Sequence, residues 1–262
     1  MNAEASRSLD VLYRDDQLLV VHKPAGLIVH RGWGNDSDTA LARARRIAGS
    51  WVYPVHRLDR ATSGVLVFAL DPQVSRSLGT MLGARRWAKS YLALVRGRPP
   101  ESGLIDSTVP RSENGERVPA QTRFRRLGCS SIERCSLVCA VPITGRLHQI
   151  RRHLKHISHP LIGDVRYGKG PINRHYRASY GLERMALHAC AIGLWHPNDG
   201  RWLEIRAPLA PELATCFTRL GFDPAAWASA FELEAPLAAE AVQPSDEAAQ
   251  PGEEADDELL ES

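Results

Sequence analysis

The first arrangement in this sequence that could do chemistry is a carboxylate set between two guanidinium groups, in His56-Arg57-Leu58-Asp59-Arg60-Ala61-Thr62-Ser63-Gly64. Flanking positive charge favours the ionised acid, and an ionised acid held in a loop can act as a nucleophile or a base. An ion-paired loop aspartate of no catalytic use has the same local pattern. A second arrangement, Thr144-Gly145-Arg146-Leu147-His148-Gln149-Ile150-Arg151-Arg152-His153, puts a glycine ahead of a cation-dense helix, which suits phosphate binding or a merely solvated face. Four histidines, His148, His153, His156 and His159, could suggest a metal, but their spacing lacks HExxH and the next acid downstream is Asp164; no metal is expected. The turn Lys23-Pro24-Ala25-Gly26 with His30-Arg31-Gly32-Trp33 could clamp nucleic acid or simply be a tight turn with a packed Trp.

These groups need elements to hold them. Short apolar runs at residues 9–13 and 18–22 predict a strand pair, and residues 27–29 predict that the strand resumes after the 23–26 turn. Ser37 or Asp38 should cap a helix to Ala48, with Leu41 and Ile47 inward and Arg43, Arg45 and Arg46 outward. Residues 64–70 read as a buried strand directly after the Asp59 loop. A helix should follow from Asp71-Pro72 to Leu82, and then a strand at 89–95. Residues 97–119 read as connections with a short edge element, and strands return at 122–127 and 132–141. Apolar Leu147, Ile150, Leu154 and Ile157 predict a helix over 146–157 with Arg151, Arg152, Lys155 and histidines on its other faces. Residues 159–183 read as a polar loop, 185–195 and 202–205 as strands, and 211–220 as a helix. Many strands with few intervening helices imply an α+β fold around a mixed, largely antiparallel sheet flanked by helices and loops.

Composition sets the outer bounds. With 44% hydrophobic and 24% charged residues the chain can build a core, which excludes collagenous and wholly disordered classes. No stretch approaches the roughly 18 uncharged apolar residues of a membrane span, and the N-terminus has no basic region followed by a hydrophobic run. A cytoplasmic protein that does not engage membranes is the expectation. The cysteines, Cys129, Cys135, Cys139, Cys190 and Cys216, are odd in number and never spaced CxxC, so they read as reduced thiols. The net charge of +3 hides a split. Residues 232–262 carry 11 acidic and no basic residues, so the rest holds 33 basic against 30 − 11 = 19 acidic, a net of +14. A body this basic suits a polyanion such as RNA, although many basic proteins are only well solvated. The acidic tail is too poor in apolar residues to fold and is expected to be disordered; the division anticipated is a catalytic domain over 1–231 and a tail over 232–262.

Taken together, the strings HRLDRATSG at 56–64, KSYLALVRG at 89–97 and TGRLHQIRRHL at 144–154 resemble the signature segments of the RluA family of pseudouridine synthases, in the family's order. LLVVHKPAGLIVH at 18–30 and HPLIGD at 159–164 are similar to further family segments, so the likeness spans about residues 9–209. Within the family, HRGW, RRHLKHISHPLIGD and the stretch from Asn173 to Ala189 are most similar to the members that modify uridine 65 of tRNA.

The resemblance implies a pseudouridine synthase catalytic fold acting on RNA, with no metal and no organic cofactor, and a monomer is expected. It implies that Asp59 is the catalytic carboxylate, that Tyr91 is the active-site tyrosine stacking on the displaced uracil, and that Arg151, or Arg146 in its place, pairs with Asp59. Arg57, Arg60, Lys89, Arg146, His148 and Arg152 are the candidate RNA contacts, with Arg60 either filling the gap left by an extruded base or gripping phosphate. The chain starts at its first strands, without the small RNA-binding domain that precedes many relatives, so the catalytic domain is expected to grip RNA itself. Ribosomal RNA is the alternative substrate, and a non-catalytic RNA-binding module the alternative class.

Overall fold

Strand β1 (Asp10–Arg14) folds back on β2 (Leu18–Lys23) as an antiparallel pair, closed by Asp15, whose carboxylate accepts from the amides of Gln17 and Leu18. The computed structural model describes residues 8–31 and 37–233; the expectations for Gly32, Trp33 and nearly all of the acidic tail lie outside them. Helix α1 (Ala40–Ala48) follows, then β3 (Tyr53–Pro54), the Asp59 loop, β4 (Ser63–Ala69), α2 (Pro72–Gly83) and β5 (Ala88–Arg96). A region of short strands, β6 (Ser102–Asp106), β7 (Val109–Pro110) and β8 (Arg117–Val118), leads to the long β9 (Gln121–Cys129) and β10 (Cys135–Pro142). Helices α3 (Gln149–His156) and α4 (Gly170–Tyr180), strands β11 (Leu187–Trp195) and β12 (Trp202–Arg206), and helices α5 (Pro211–Arg219) and α6 (Ala225–Ala228) complete the order.

The main sheet runs β1-β2-β4-β11-β5-β10-β9-β6, with β12 added on β11 and β3 on β4. Its pairings are antiparallel except β4 with β11. Every residue of β4 is buried, as the continuous run SGVLVFA requires of a strand covered on both faces. Leu66 and Phe68 pack with Ala40 and Ala44 of α1, while Val65 and Val67 meet Leu78 of α2. On β5 the alternation is equally clean. Ala93 and Val95 meet Ile150 and Leu154 of α3, while Leu92 and Leu94 meet Leu213 and Phe217 of α5. Tyr91 belongs to both the α1-side and the α3-side cluster, so it stands at the seam between the two helices.

Four sequence expectations need correction. Residues 27–29 are not a strand: the carbonyls of Ile28 and Val29 accept from Ala40 and Leu41 at the start of α1 (2.8 and 2.9 Å), which uses the groups a sheet would pair. The cap of α1 is Thr39, whose hydroxyl accepts from the Ala42 amide, while Asp38 pairs instead with Arg43. Helix α3 starts three residues late, because His148 adopts a left-handed backbone (φ 52°) and Gln149 folds its side chain onto Thr144 and the Arg146 amide. The supposed loop 159–183 contains α4, with Pro in its first turn and Gly181 as its left-handed C-cap. Among the described residues no helix is long and apolar enough to cross a membrane.

Candidate active site

Asp59 sits in the loop entering β4, and that loop is fastened from three directions. Leu58 is buried in the α1-side cluster, and the Thr62 amide closes a turn onto the Asp59 carbonyl (3.0 Å). Lys23, wholly buried, donates to the carbonyls of Leu27 (2.6 Å), Pro24 (2.9 Å) and Arg60 (3.3 Å), and the Gly26 amide also reaches Arg60 O (2.7 Å). The 23–26 turn is therefore bolted to the residue after Asp59, and its lysine is no clamp for RNA. Burial pushes Lys23 down to about 7, Arg184 adding and Asp59 opposing. From the far side Arg184 donates to Ser63 Oγ (2.7 Å), Leu187 O (3.1 Å) and Ala61 O (3.4 Å), and pairs with Glu212 of α5.

The carboxylate is aimed by α3. Arg151 donates Nη1 to Asp59 Oδ2 (2.9 Å), while its Nε and Nη2 grip Asp164 at 2.7 and 3.0 Å. Arg146 does not reach Asp59; it is exposed, with Nε 3.5 Å from Pro119 O. Asp164 is 1% exposed, and burial alone would raise its pKa; hydrogen bonds from Arg151 and from the Tyr167 and Arg166 amides outweigh this and hold it below the usual carboxylate value. Burial disfavours charge on Arg151 too, but its two carboxylates raise it above the usual arginine value. His148 places Nε2 3.8 Å from Asp59 Oδ1 and Nδ1 3.0 Å from the Tyr167 hydroxyl. Burial lowers its pKa, Asp59 opposing and three arginines adding. The Tyr91 hydroxyl is pushed above its usual value by burial and then by the Asp59 charge, so the two share one electrostatic environment.

The structure thus gathers Asp59, Tyr91, Arg151 and His148, with Arg152 attached through the Tyr167 hydroxyl (2.9 Å). Arg57 and Arg60 are exposed beside them. Lys89 does not fit a surface RNA contact: it is 9% exposed, burial pushes it down to about 8, and its charge adds to the burial that lowers His56 to about 3. His56 Nε2 accepts from the Val67 amide (3.1 Å), a structural task. The histidine cluster disperses. His153 is buried between Thr122 and Ser107 O, His159 bonds Arg96 O, and among the described residues no three His, Cys, Asp or Glu side chains assemble as metal ligands. Cys135, Cys139, Cys190 and Cys216 are buried free thiols and Cys129 is exposed.

Lys23, Asp164, Tyr167 and Arg184 are site residues that sequence reasoning did not assign. Lys23, Asp164 and Arg184 lie in segments that carry the resemblance, 18–30, 159–164 and 173–189, but their roles rest on long-range contacts that no local pattern displays; Tyr167 lies outside those segments.

Residues 17–156 match the RNA pseudouridylate synthase family. The tRNA pseudouridine synthase C of Haemophilus ducreyi is 37% identical over 234 residues, covering 82% of this chain and 96% of that protein. The ribosomal large subunit pseudouridine synthase C of Yersinia pestis is 39% identical over 222 residues, covering 80% and 68%. Among solved structures, human RNA pseudouridylate synthase domain containing 4 is similar with a TM-score of 0.66 and 27% identity, over 81% of this chain and 93% of that one.

Proposed function

This chain belongs to the RNA pseudouridylate synthase family and is an isomerase that acts on RNA; we propose that its substrate is tRNA, with uridine 65 as target, and that Asp59 is its catalytic carboxylate. The observation that carries the assignment of Asp59 is its ion pair with Arg151 at 2.9 Å beside Tyr91. Isomerisation breaks the bond from the ribose anomeric carbon to uracil N1 and forms one to uracil C5, which gives up its proton while N1 gains one. There is no net oxidation or reduction.

Asp59 serves either as the nucleophile at the anomeric carbon or as the base that removes the neighbouring ribose proton. In both, Arg151, at 2.9 Å, aims the carboxylate and supplies its counter-charge when bound RNA adds negative charge and excludes water. Tyr91 stacks on the detached uracil, and its strongly disfavoured ionisation leaves a neutral hydroxyl to assist proton transfer at C5. Arg57, Arg60, Arg146, His148 and Arg152 contact the RNA around the extruded uridine. In this reading residues 1–231 are the catalytic unit, and the protein works as a cytoplasmic monomer without metal or organic cofactor.

Tritium release from tRNA labelled at uracil C5 tests the role of Asp59. Asp59→Asn should bind tRNA as the wild type does while turnover falls on the order of a thousandfold or more, since the amide keeps the shape but neither the charge nor the nucleophilicity. Turnover within about tenfold of wild type would sink the assignment. The likeness to a ribosomal large subunit synthase supports ribosomal RNA as a second reading. Carbodiimide mapping of pseudouridines in tRNA and ribosomal RNA from a deletion strain decides between them.

A further inference from the structure

Tyr167, at the rim of the site, is the centre of a group of cations. The Arg152 guanidinium carbon lies 5.6 Å from its ring centroid, Lys155 Nζ 5.8 Å and the Arg166 guanidinium carbon 5.8 Å, with Arg151 at 5.0 Å. Arg151 is committed to Asp59 and Asp164. Arg152 spends Nε on the Tyr167 hydroxyl, and among the described residues neither it nor Lys155 has a carboxylate partner. Arg166 has one, Glu113 at 2.6 Å, carried by the connection between β7 and β8; their side chains are 43% and 67% exposed. So exposed a pair is screened by water and salt and exchanges readily for another anion.

Three cations around one ring repel each other unless an anion joins them, and two of the three are arginines, whose planar donors suit phosphate oxygens. The cluster is also placed for the substrate. One nitrogen of His148 faces Asp59 and the other bonds Tyr167, so the reacting carboxylate and the cations lie on opposite sides of a single imidazole.

We propose that Arg152, Lys155 and Arg166 around Tyr167 form a phosphodiester site for the RNA backbone beside the target uridine, and that Glu113 occupies its Arg166 end as an internal carboxylate until RNA displaces it. The proposal rests on the RNA-substrate reading above. Glu113 then competes with RNA, which gives the two halves of one ion pair opposite effects on affinity.

The experiment is filter binding of tRNA to the full-length protein across a salt series, for wild type, Lys155→Ala, Arg166→Ala and Glu113→Gln, each checked for folding by thermal melting. Lys155→Ala and Arg166→Ala should weaken binding and reduce the slope of log affinity against log salt by about 0.7–0.9 each, the loss of one phosphate contact. Glu113→Gln should tighten binding severalfold, most at low salt. If Glu113 and Arg166 form only a structural tie, their variants shift affinity in the same direction or not at all, and that result overturns the site. Wild-type tritium release from the same tRNA separates the two levels: no release from any RNA condemns the substrate reading, whereas release without the opposite signs condemns the site alone.

Discussion

Arg151 carries more of this site than any other side chain, because one guanidinium serves two carboxylates, Asp59 at 2.9 Å and Asp164 at 2.7 and 3.0 Å. Arg151→Met should therefore both misplace Asp59 and destabilise the fold. Asp164, 1% exposed, would be left without its counter-charge at a cost of about 3–5 kcal/mol, read as a lower midpoint in urea unfolding. Arg151→Lys keeps a charge but not the planar fork, so one ammonium cannot hold both acids in register; stability should largely survive while tritium release falls about a hundredfold through misplacement of Asp59. Equal activity of Arg151→Lys and wild type would refute the positioning role. Asp164 also sets an acid limb. Its folded pKa lies below the usual value, so the stability it contributes is fully present above that value and is lost as pH falls through the lower folded one. Asp164→Asn should flatten the fall in stability as the pH drops below the ordinary carboxylate range. An unchanged acid limb in pH-dependent urea titrations would show that other carboxylates produce it.

At the scale of elements, the catalytic loop depends on how closely β4 approaches β11. Gly64 has φ +121°, and a Cβ there would meet Ala189 O at 2.1 Å, a backbone atom that cannot move aside cheaply. Gly64→Ala should cost about 3 kcal/mol or more and carry activity down with it, because the loop anchors through Ser63. Gly79, exposed in α2 with nothing within 4 Å of its would-be Cβ, is the contrast: Gly79→Ala should stabilise by about 0.5–1 kcal/mol through helix propensity. Urea midpoints of both variants check the pair. Local pattern was enough to locate β4 and the loop before it, since an apolar run after a charged turn is decided within ten residues. It was not enough for α4. The stripe Ile172, Tyr176, Tyr180 has helical spacing, but Gly170-Pro171 reads equally well as a turn and as a helix start, and only packing against the α5-side cluster chooses. Helical spacing alone puts Arg151 and His153 on the faces away from Leu147, Ile150 and Leu154; the resemblance supplies Asp59 as a partner for Arg151, but nothing in the sequence displays Asp164 beside it or the partners of His153. Asp59, Asp164, Thr122 and Ser107 are distant in the chain, and it is these that permit burial of polar side chains between Ile150 and Leu154.

For the whole molecule the decisive quantity is charge. Residues 1–231 carry a net +14 and residues 232–262 carry eleven carboxylates with no cation, so an acidic segment is tethered to a basic body. A tether turns weak ionic contacts into competition at high local concentration, whatever conformation the segment takes. If it occupies cation sites on the body, truncation after Phe231 should tighten binding to tRNA and to an unrelated RNA alike, by a factor that is largest at low salt and shrinks as screening sets in. The truncated protein should also show a steeper dependence of affinity on salt, because more body cations become available to release counterions from RNA. Glu113 competes for one cluster of cations, whereas the tail competes for the basic surface at large, so removing the tail should still tighten binding in the Glu113→Gln background. Filter binding of the four proteins, full-length and truncated, each with Glu113 or Gln, gives the affinities and slopes directly. Identical salt slopes for full-length and truncated chains would show that the carboxylates do not touch the RNA-binding surface.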